Sequence, residues 1–188
     1  MAITSPAGRK YQRRSRYMNK VDFLYTLPEN GIGIELGVGR GGYSLEICRR
    51  SPLSKIYGID RYTDKTHTEE QMKNMLSLLE DEINAGRYTF LRGTFESHVN
   101  SFDDETFDFI FIDGYANGGQ ENGKTLDDWW PKLKPGGIFS GHDYCDRYYQ
   151  TKNVVDKFID SHNLKLNIIN ELTSKNDYPS WYTFKNKE

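Results

Sequence analysis

No apolar run in the 188 residues approaches the ~20 needed to cross a bilayer, and the N-terminal stretch lacks the apolar segment of a secretory signal. A membrane protein is therefore not expected, and the cytoplasm is the expected compartment. Cysteine is scarce: Cys48 and Cys145 are the two present, far apart and without CxxC or metal-ligand spacing. That argues for reduced thiols and against a disulfide framework. Excess charge is missing too, with a formal net charge of −2, so nothing global calls for nucleic acid as partner. One local exception stands out. The first 20 residues hold Arg9, Lys10, Arg13, Arg14, Arg16 and Lys20 and no acid. They read as a basic arm, a solvated tail or a contact for phosphates or a neighbouring copy, so a homodimer is open. Residues 21–188 read as one domain, long enough to bury a core.

What the chain does have is the stretch GIGIELGVGRGG at residues 31–42. It reads as a short buried strand (Ile32, Ile34, Leu36) entering a glycine-rich turn, followed by a helix over YSLEICRR. Glycines there let the backbone take positive φ and approach a ligand, and the helix N-terminus offers free N–H groups. The spacing Gly37-x-Gly39-x-x-Gly42 also fits a dinucleotide fingerprint, so at this point two nucleoside ligands remain open.

Strand and helix signals alternate from residue 31 onward. KIYGID (55–60), RYTFLRG (87–93), FDFIFIDG (107–114) and IFSG (138–141) read as strands, FDFIFIDG with the near-continuous apolar run of a strand buried on both faces. Helices are expected over Val21–Leu27, from the Thr68 capping box through Ile83, over Leu126–Leu133 and over Asn153–Ser161. Residues 115–124 read as a flexible polar loop, and LKLNIIN (164–170) with SWYTFK (180–185) as an antiparallel pair. The expected fold is a Rossmann-like, doubly wound α/β domain with a mostly parallel seven-stranded sheet.

Ligands of such sheets sit beyond the carboxyl ends of the strands. Glu35, Asp60, Gly93-Thr94-Phe95, Asp113 and His142-Asp143 all fall there, and carboxylates at a sheet edge cost desolvation without giving packing. Asp60 lies 23 residues after Gly37, near the offset at which an acid takes a ribose diol; it would repel a 2′-phosphate.

The ordered set IELGVGRGG, YGID, FDFIFIDG, LKPGG and GHDY resembles the class I S-adenosylmethionine-dependent methyltransferases over roughly residues 30–185. It looks most like their small-molecule O-methyltransferase branch, which includes the catechol type and antibiotic- and sugar-modifying enzymes. The resemblance implies S-adenosylmethionine as cofactor and an antiparallel C-terminal strand beside the last parallel one. It implies that Glu35 orients the methionine amino group and that Gly37, Gly39 and Gly41 lie against the cofactor. Asp60 would take the ribose diol, with Arg61, Tyr62, Thr94 and Phe95 near the adenine and Asp113 facing the methyl donor. It also implies a divalent-ion site at Asp113, His142 and Asp143 in metal-using members. An imidazole suits Mg²⁺ poorly, so His142 as a general base or as a structural cap stays open. The three residues are the candidate catalytic set. Related sequences often continue Asp-His-x-Tyr after the strand-four glycine; here Gly114-Tyr-Ala-Asn-Gly-Gly lacks that histidine. Tyr115, Tyr144, Tyr148 and Tyr149 are candidates for lining an acceptor pocket. The expectation is methyl transfer to a small-molecule hydroxyl; an NAD-dependent oxidoreductase and a nucleic-acid methyltransferase guided by the arm are the alternatives.

Overall fold

Strand β1 (Ile32–Leu36) pairs in parallel with both β2 (Lys55–Asp60) and β4 (Phe107–Ile112), and this pairing is the centre of the molecule in a computed structural model. The model describes residues 20–170 and 178–187, so the basic arm lies outside the described residues apart from Lys20. Strand β3 (Tyr88–Arg92) joins β2, and β5 (Leu133–Gly141) joins β4, both in parallel. At the far edge β7 (Ser180–Phe184) runs antiparallel to β5 and to β6 (Asn167–Ile169). The sheet order is β3-β2-β1-β4-β5-β7-β6, a seven-stranded, mostly parallel sheet. The chain reverses its direction of winding between β1 and β4, and that is where such sheets open a ligand crevice.

Eight α-helices, α1 (Lys20–Leu24), α2 (Gly42–Arg50), α3 (Glu69–Leu78), α4 (Glu80–Asn84), α5 (Phe95–Val99), α6 (Gly119–Asn122), α7 (Lys124–Trp129) and α8 (Tyr149–Ser161), and two 3-10 turns, Ala116–Gly118 and Asp146–Tyr148, complete the described elements. Alternation along β4 explains the two-sided burial read from its sequence. Phe109 and Phe111 join a core with Ile47, Cys48, Met72, Met75 and Tyr88 under α2 and α3. Ile110 and Ile112 join a second core with Leu126, Trp129, Val155, Phe158 and Trp181 under α7 and α8. Helices on both faces leave no solvated side to this strand.

Several element boundaries differ from expectation. The helix opened by Thr68, whose hydroxyl accepts from the Gln71 N–H at 3.2 Å, breaks at Leu79 into α3 and α4. Helix α5 was not expected at all; Thr94 caps it by accepting from the Ser97 N–H. Helix α7 stops at Trp129, α8 starts four residues earlier than its periodicity suggests, and β5 runs back through Lys134-Pro-Gly-Gly137 to Leu133. The polar stretch after β4 forms two tight turns, Ala116–Gly118 and α6, packed on α8, where the Thr151 hydroxyl donates to the Ala116 carbonyl at 2.7 Å. Gln120, Glu121 and Asn122 all hold positive φ there, a conformation that non-glycine residues enter at a cost of ~1–2 kcal/mol each.

Candidate active site

The backbone ladder runs one residue past each central strand and brings the turn residues level. The Gly37 N–H donates to the Ile59 carbonyl, Asp113 N–H to Leu36, Gly93 N–H to Asp60 and His142 N–H to Ile112. Gly37 has φ 101°, and a Cβ there would lie 2.2 Å from the Asp113 carbonyl oxygen. The glycine turn therefore crosses directly over the end of β4, a close approach no side chain permits. At Gly39 a Cβ would meet nothing within 4 Å, so this residue borders open space.

That space is a cavity of about 470 Å³. Glu35, Gly37, Val38, Gly39, Arg40, Gly42 and Tyr43 from β1, the turn and α2 line it, with Thr66, His67, Gln71 and Asp113. Of the residues marked from sequence, Glu35, Gly37, Gly39 and Asp113 stand on its walls. Gly41, Asp60, Arg61, Thr94 and Phe95 do not. Gly41 faces α3: a Cβ there would lie 2.7 Å from Met75 Cγ, so helix packing, and not ligand approach, excludes a side chain. Asp60 is buried beneath the turn, with Oδ2 accepting from the Gly39 N–H at 2.9 Å and Oδ1 from the Arg61 N–H at 2.7 Å. Oδ1 also accepts from the Tyr62 N–H at 3.5 Å, so the spare acceptor capacity is on Oδ2, which keeps a second lone pair. Tyr62 is also turned beneath the loop, donating to the Gly39 carbonyl at 2.5 Å, instead of standing at an adenine edge. The Arg61 guanidinium lies 5.8 Å over the Tyr115 ring, which packs edge-on against Phe95 at 4.9 Å. Those three form a separate aromatic-cationic wall near Asp60, and the Thr94 side chain is exposed at its cap. Thr66, His67 and Gln71 were not singled out in the sequence; a histidine in the polar loop after an acid-ended strand was the one available signal.

Glu35 is held by a buried relay. The Ser44 hydroxyl on α2 donates to its carboxylate, and the Tyr88 phenol on β3 donates to Ser44 at 3.2 Å. Tyr88 reaches Ser44 through the space left at Gly58, whose Cβ would sit 1.9 Å from the phenol oxygen. Burial pushes the Glu35 carboxyl well above the usual carboxylate range; Ser44 opposes this, and the charges of Asp113 and Asp60 add to it. Asp113 is also raised, chiefly by burial, with His142 pulling down and Asp143 pushing up. Two acids held up in this way, Glu35 buried and Asp113 half-buried at the crevice, favour a cationic ligand.

Behind Asp113 stand His142 and Asp143. His142 Nδ1 is 3.0 Å from Asp143 Oδ1 and 3.7 Å from Asp113 Oδ1. Asp143 reaches back through a left-handed backbone, φ 61°. Burial draws the imidazole down, but the hydrogen bond with Asp143 and the charges of Asp113 and Asp143 outweigh it and leave it raised. Its Nε2 is buried and has no hydrogen-bond partner among the described residues. The four tyrosines separate. Tyr144 donates to Asp156 on α8 at 2.5 Å, Tyr149 is exposed, Tyr115 belongs to the wall with Phe95, and Tyr148 alone stays close enough for Asp143 to raise its phenol, after burial.

A doubly wound sheet of this order, with its glycine turn over the end of β4 and acids at the ends of β1, β2 and β4, is the class I S-adenosylmethionine-dependent methyltransferase fold. A family model described as a methyltransferase domain matches residues 34–144, and the chain belongs to that family. No curated protein sequence matches it. Among solved structures it is similar to an S-adenosylmethionine-dependent O-methyltransferase from Thermotoga maritima, at 17% identity and TM-score 0.67, over 100% of this chain and 78% of that one. It is also similar to a precorrin-6y C5,15-methyltransferase from Geobacter metallireducens, at 17% identity and TM-score 0.65, over 89% and 85%. A spermidine synthase from Thermotoga maritima, 17% identical with TM-score 0.64 over 90% of this chain and 58% of that one, shares the fold as well. Among the described residues no helix is long and apolar enough to cross a membrane.

Proposed function

We propose that the chain transfers the methyl group of S-adenosylmethionine to a hydroxyl oxygen of a small-molecule acceptor, with Asp113, His142 and Asp143 as the catalytic set. The observation that carries this reading is the adjacency of the glycine-bordered cavity, with its two raised acids, to the Asp113–His142–Asp143 cluster. The donor's fit is supported by the open face of Gly39 and by the buried Glu35 carboxylate on the cavity wall. S-adenosylmethionine supplies a methyl group already activated on a sulfonium. The protein's work is then to position the acceptor and take its proton. Glu35, fixed by Ser44, binds the donor's ammonium group, and Asp60, tied to the turn, turns the remaining lone pair of Oδ2 to the ribose hydroxyls. Gly37, Gly39 and Gly41 shape the turn, while Arg61, Thr94 and Phe95 bound the adenine side. As the acceptor oxygen forms its bond to carbon, its proton passes to an Asp113 carboxylate oxygen. His142 at 3.7 Å steadies that carboxylate, and Asp143 holds the imidazole in place.

The same three residues suit a divalent ion. One ligand atom from each lies within 4.8 Å of the others, and two oxygens with one nitrogen favour an ion that accepts imidazole over Mg²⁺. Held there, it would supply Lewis acidity that lowers the acceptor hydroxyl's pKa.

Calorimetry with S-adenosylhomocysteine tests the reading. Binding to the wild-type chain is expected, with at least a ~10-fold loss in Asp60→Ala from the broken turn. Asp113→Asn should keep binding and lose ~10²–10⁴-fold in turnover. Absence of any S-adenosylhomocysteine binding would sink the proposal. Chelator treatment followed by added Mn²⁺ or Zn²⁺ assigns the ion if activity falls and returns, and removes it from the mechanism if activity is unchanged.

A further inference from the structure

Beyond Asp143, the turn from β5 into α8 carries a cluster that the donor site does not use. The Arg147 guanidinium lies 5.5 Å from the ring centre of Tyr178 and 5.9 Å from that of Tyr148, and those two rings meet edge-to-face at 5.1 Å. Tyr178 in turn lies 6.5 Å from the His142 ring, and Tyr148 feels the charge of Asp143. The cluster is pinned to the catalytic set by backbone as well: the Tyr144 N–H donates to the Pro179 carbonyl and the Tyr148 N–H to the Cys145 carbonyl, both at 3.0 Å. Arg147 has no ion pair or hydrogen bond among the described residues.

Two properties of this arrangement select a ligand. A guanidinium held over aromatic faces spends its faces on stacking and leaves its planar N–H fork free at the edge, the geometry that takes a carboxylate with two parallel hydrogen bonds. Stacking on two half-buried rings also removes much of the side-chain freedom that an exposed arginine would otherwise lose on binding. The neighbouring acids matter in the opposite sense. Asp113 and Asp143 repel an anionic acceptor at the reacting end, so a negative group is tolerated only at the far end, where Arg147 is the cation.

We propose that Arg147, oriented by Tyr148 and Tyr178, is the acceptor-recognition residue, and that the acceptor carries a carboxylate remote from the hydroxyl that is methylated. This rests on the methyltransferase reading above. The acceptor's hydroxyl lies at Asp113 and His142, its body against Tyr178 and its carboxylate on the Arg147 fork.

The test uses the full chain saturated with S-adenosylhomocysteine and two probes, 3,4-dihydroxybenzoate and its neutral amide. The carboxylate is expected to bind about tenfold more tightly than the amide. R147Q should bring that ratio to about one and leave amide and S-adenosylhomocysteine affinities unchanged. Y178L, which frees the fork without removing its charge, should give an intermediate ratio. Equal affinity of the two probes for the wild-type chain, binding of neither, or a ratio that R147Q leaves intact overturns the inference while S-adenosylhomocysteine still binds. If S-adenosylhomocysteine does not bind, the methyltransferase reading fails first and this inference falls with it.

Discussion

The two sides of the crevice are built in different ways. On the donor side, the turn at 37–42 is fastened by main-chain groups: Gly37 to Ile59, Gly39 to the Asp60 carboxylate, and the Gly39 carbonyl to Tyr62. Its residues come from one strand-turn-helix unit and the two strands beside β1. On the acceptor side, Asp113, His142, Tyr148 and Tyr178 come from four separate points on the chain. Asp113 and His142 hang on the backbone ladder, but Tyr148 and Tyr178 are brought to them by ring contacts and by the docking of the Tyr144 N–H on the Pro179 carbonyl. The loop after β4 adds a turn with five consecutive positive φ values, from Gly119 to Gly123. A site made of backbone is dictated by the sheet, whereas one made of side chains on irregular segments is free to change with the acceptor.

The strongest way to break the comparison is to place the same substitution on each side. Gly37→Ala drives a Cβ into the Asp113 carbonyl at φ 101°, so a loss of about 3 kcal/mol in stability and of measurable cofactor binding is expected. Gly118→Ala meets nothing within 4 Å and should change the melting temperature by less than the equivalent of ~0.5 kcal/mol. Similar losses from both, read by denaturant titration, would mean that the acceptor side is as tightly determined as the donor side.

A smaller effect is expected from the buried acid of the donor side. Because the Glu35 carboxyl is raised by burial, the native state holds that proton more tightly than the unfolded chain. Native stability therefore falls as pH rises from the ordinary carboxylate range, about 4.3, through the raised value. Glu35→Gln removes that dependence. The cofactor-free variant should gain stability over wild type at pH 8 and not at pH 4, yet bind S-adenosylhomocysteine about tenfold more weakly. A gain of equal size at both pH values would show that the carboxylate charge is not the cause.

Least of all should follow from Tyr144→Phe. Its phenol donates to Asp156 on α8 and not into the crevice. A stability loss of about 0.5–1.5 kcal/mol with unchanged kcat and KM is expected, and a raised KM would return Tyr144 to the acceptor wall.

Much of the geometry around the glycine turn, the half proposed to hold the donor, was readable in advance for a physical reason. Alternating apolar residues in β1 and β4, the glycines at 37 and 39 and the acids at 35 and 113 are local signals, set by pleat, positive φ and desolvation. Gly41 looked the same as its neighbours in the sequence, and only the packing of Met75 shows that it faces a helix. Helix α5 is five residues long and has no periodicity to betray it; the Thr94 cap makes sense only once β3 has ended. Among the four tyrosines nothing local separates Tyr148 from Tyr144. What separates them is the docking of the β5–α8 turn against residues 178 and 179, over thirty positions away, and that same docking introduced Tyr178, which no pattern had marked.

By itself the sequence determined the alternation of strands and helices, the glycine turn and the family, because each is carried by short local motifs whose order along the chain can be read directly. Tertiary structure alone decided which glycine borders the cavity, that Tyr178 stands beside His142 and which rings Arg147 lies over, because each depends on contacts between segments whose spacing in the chain carries no information about their separation in space.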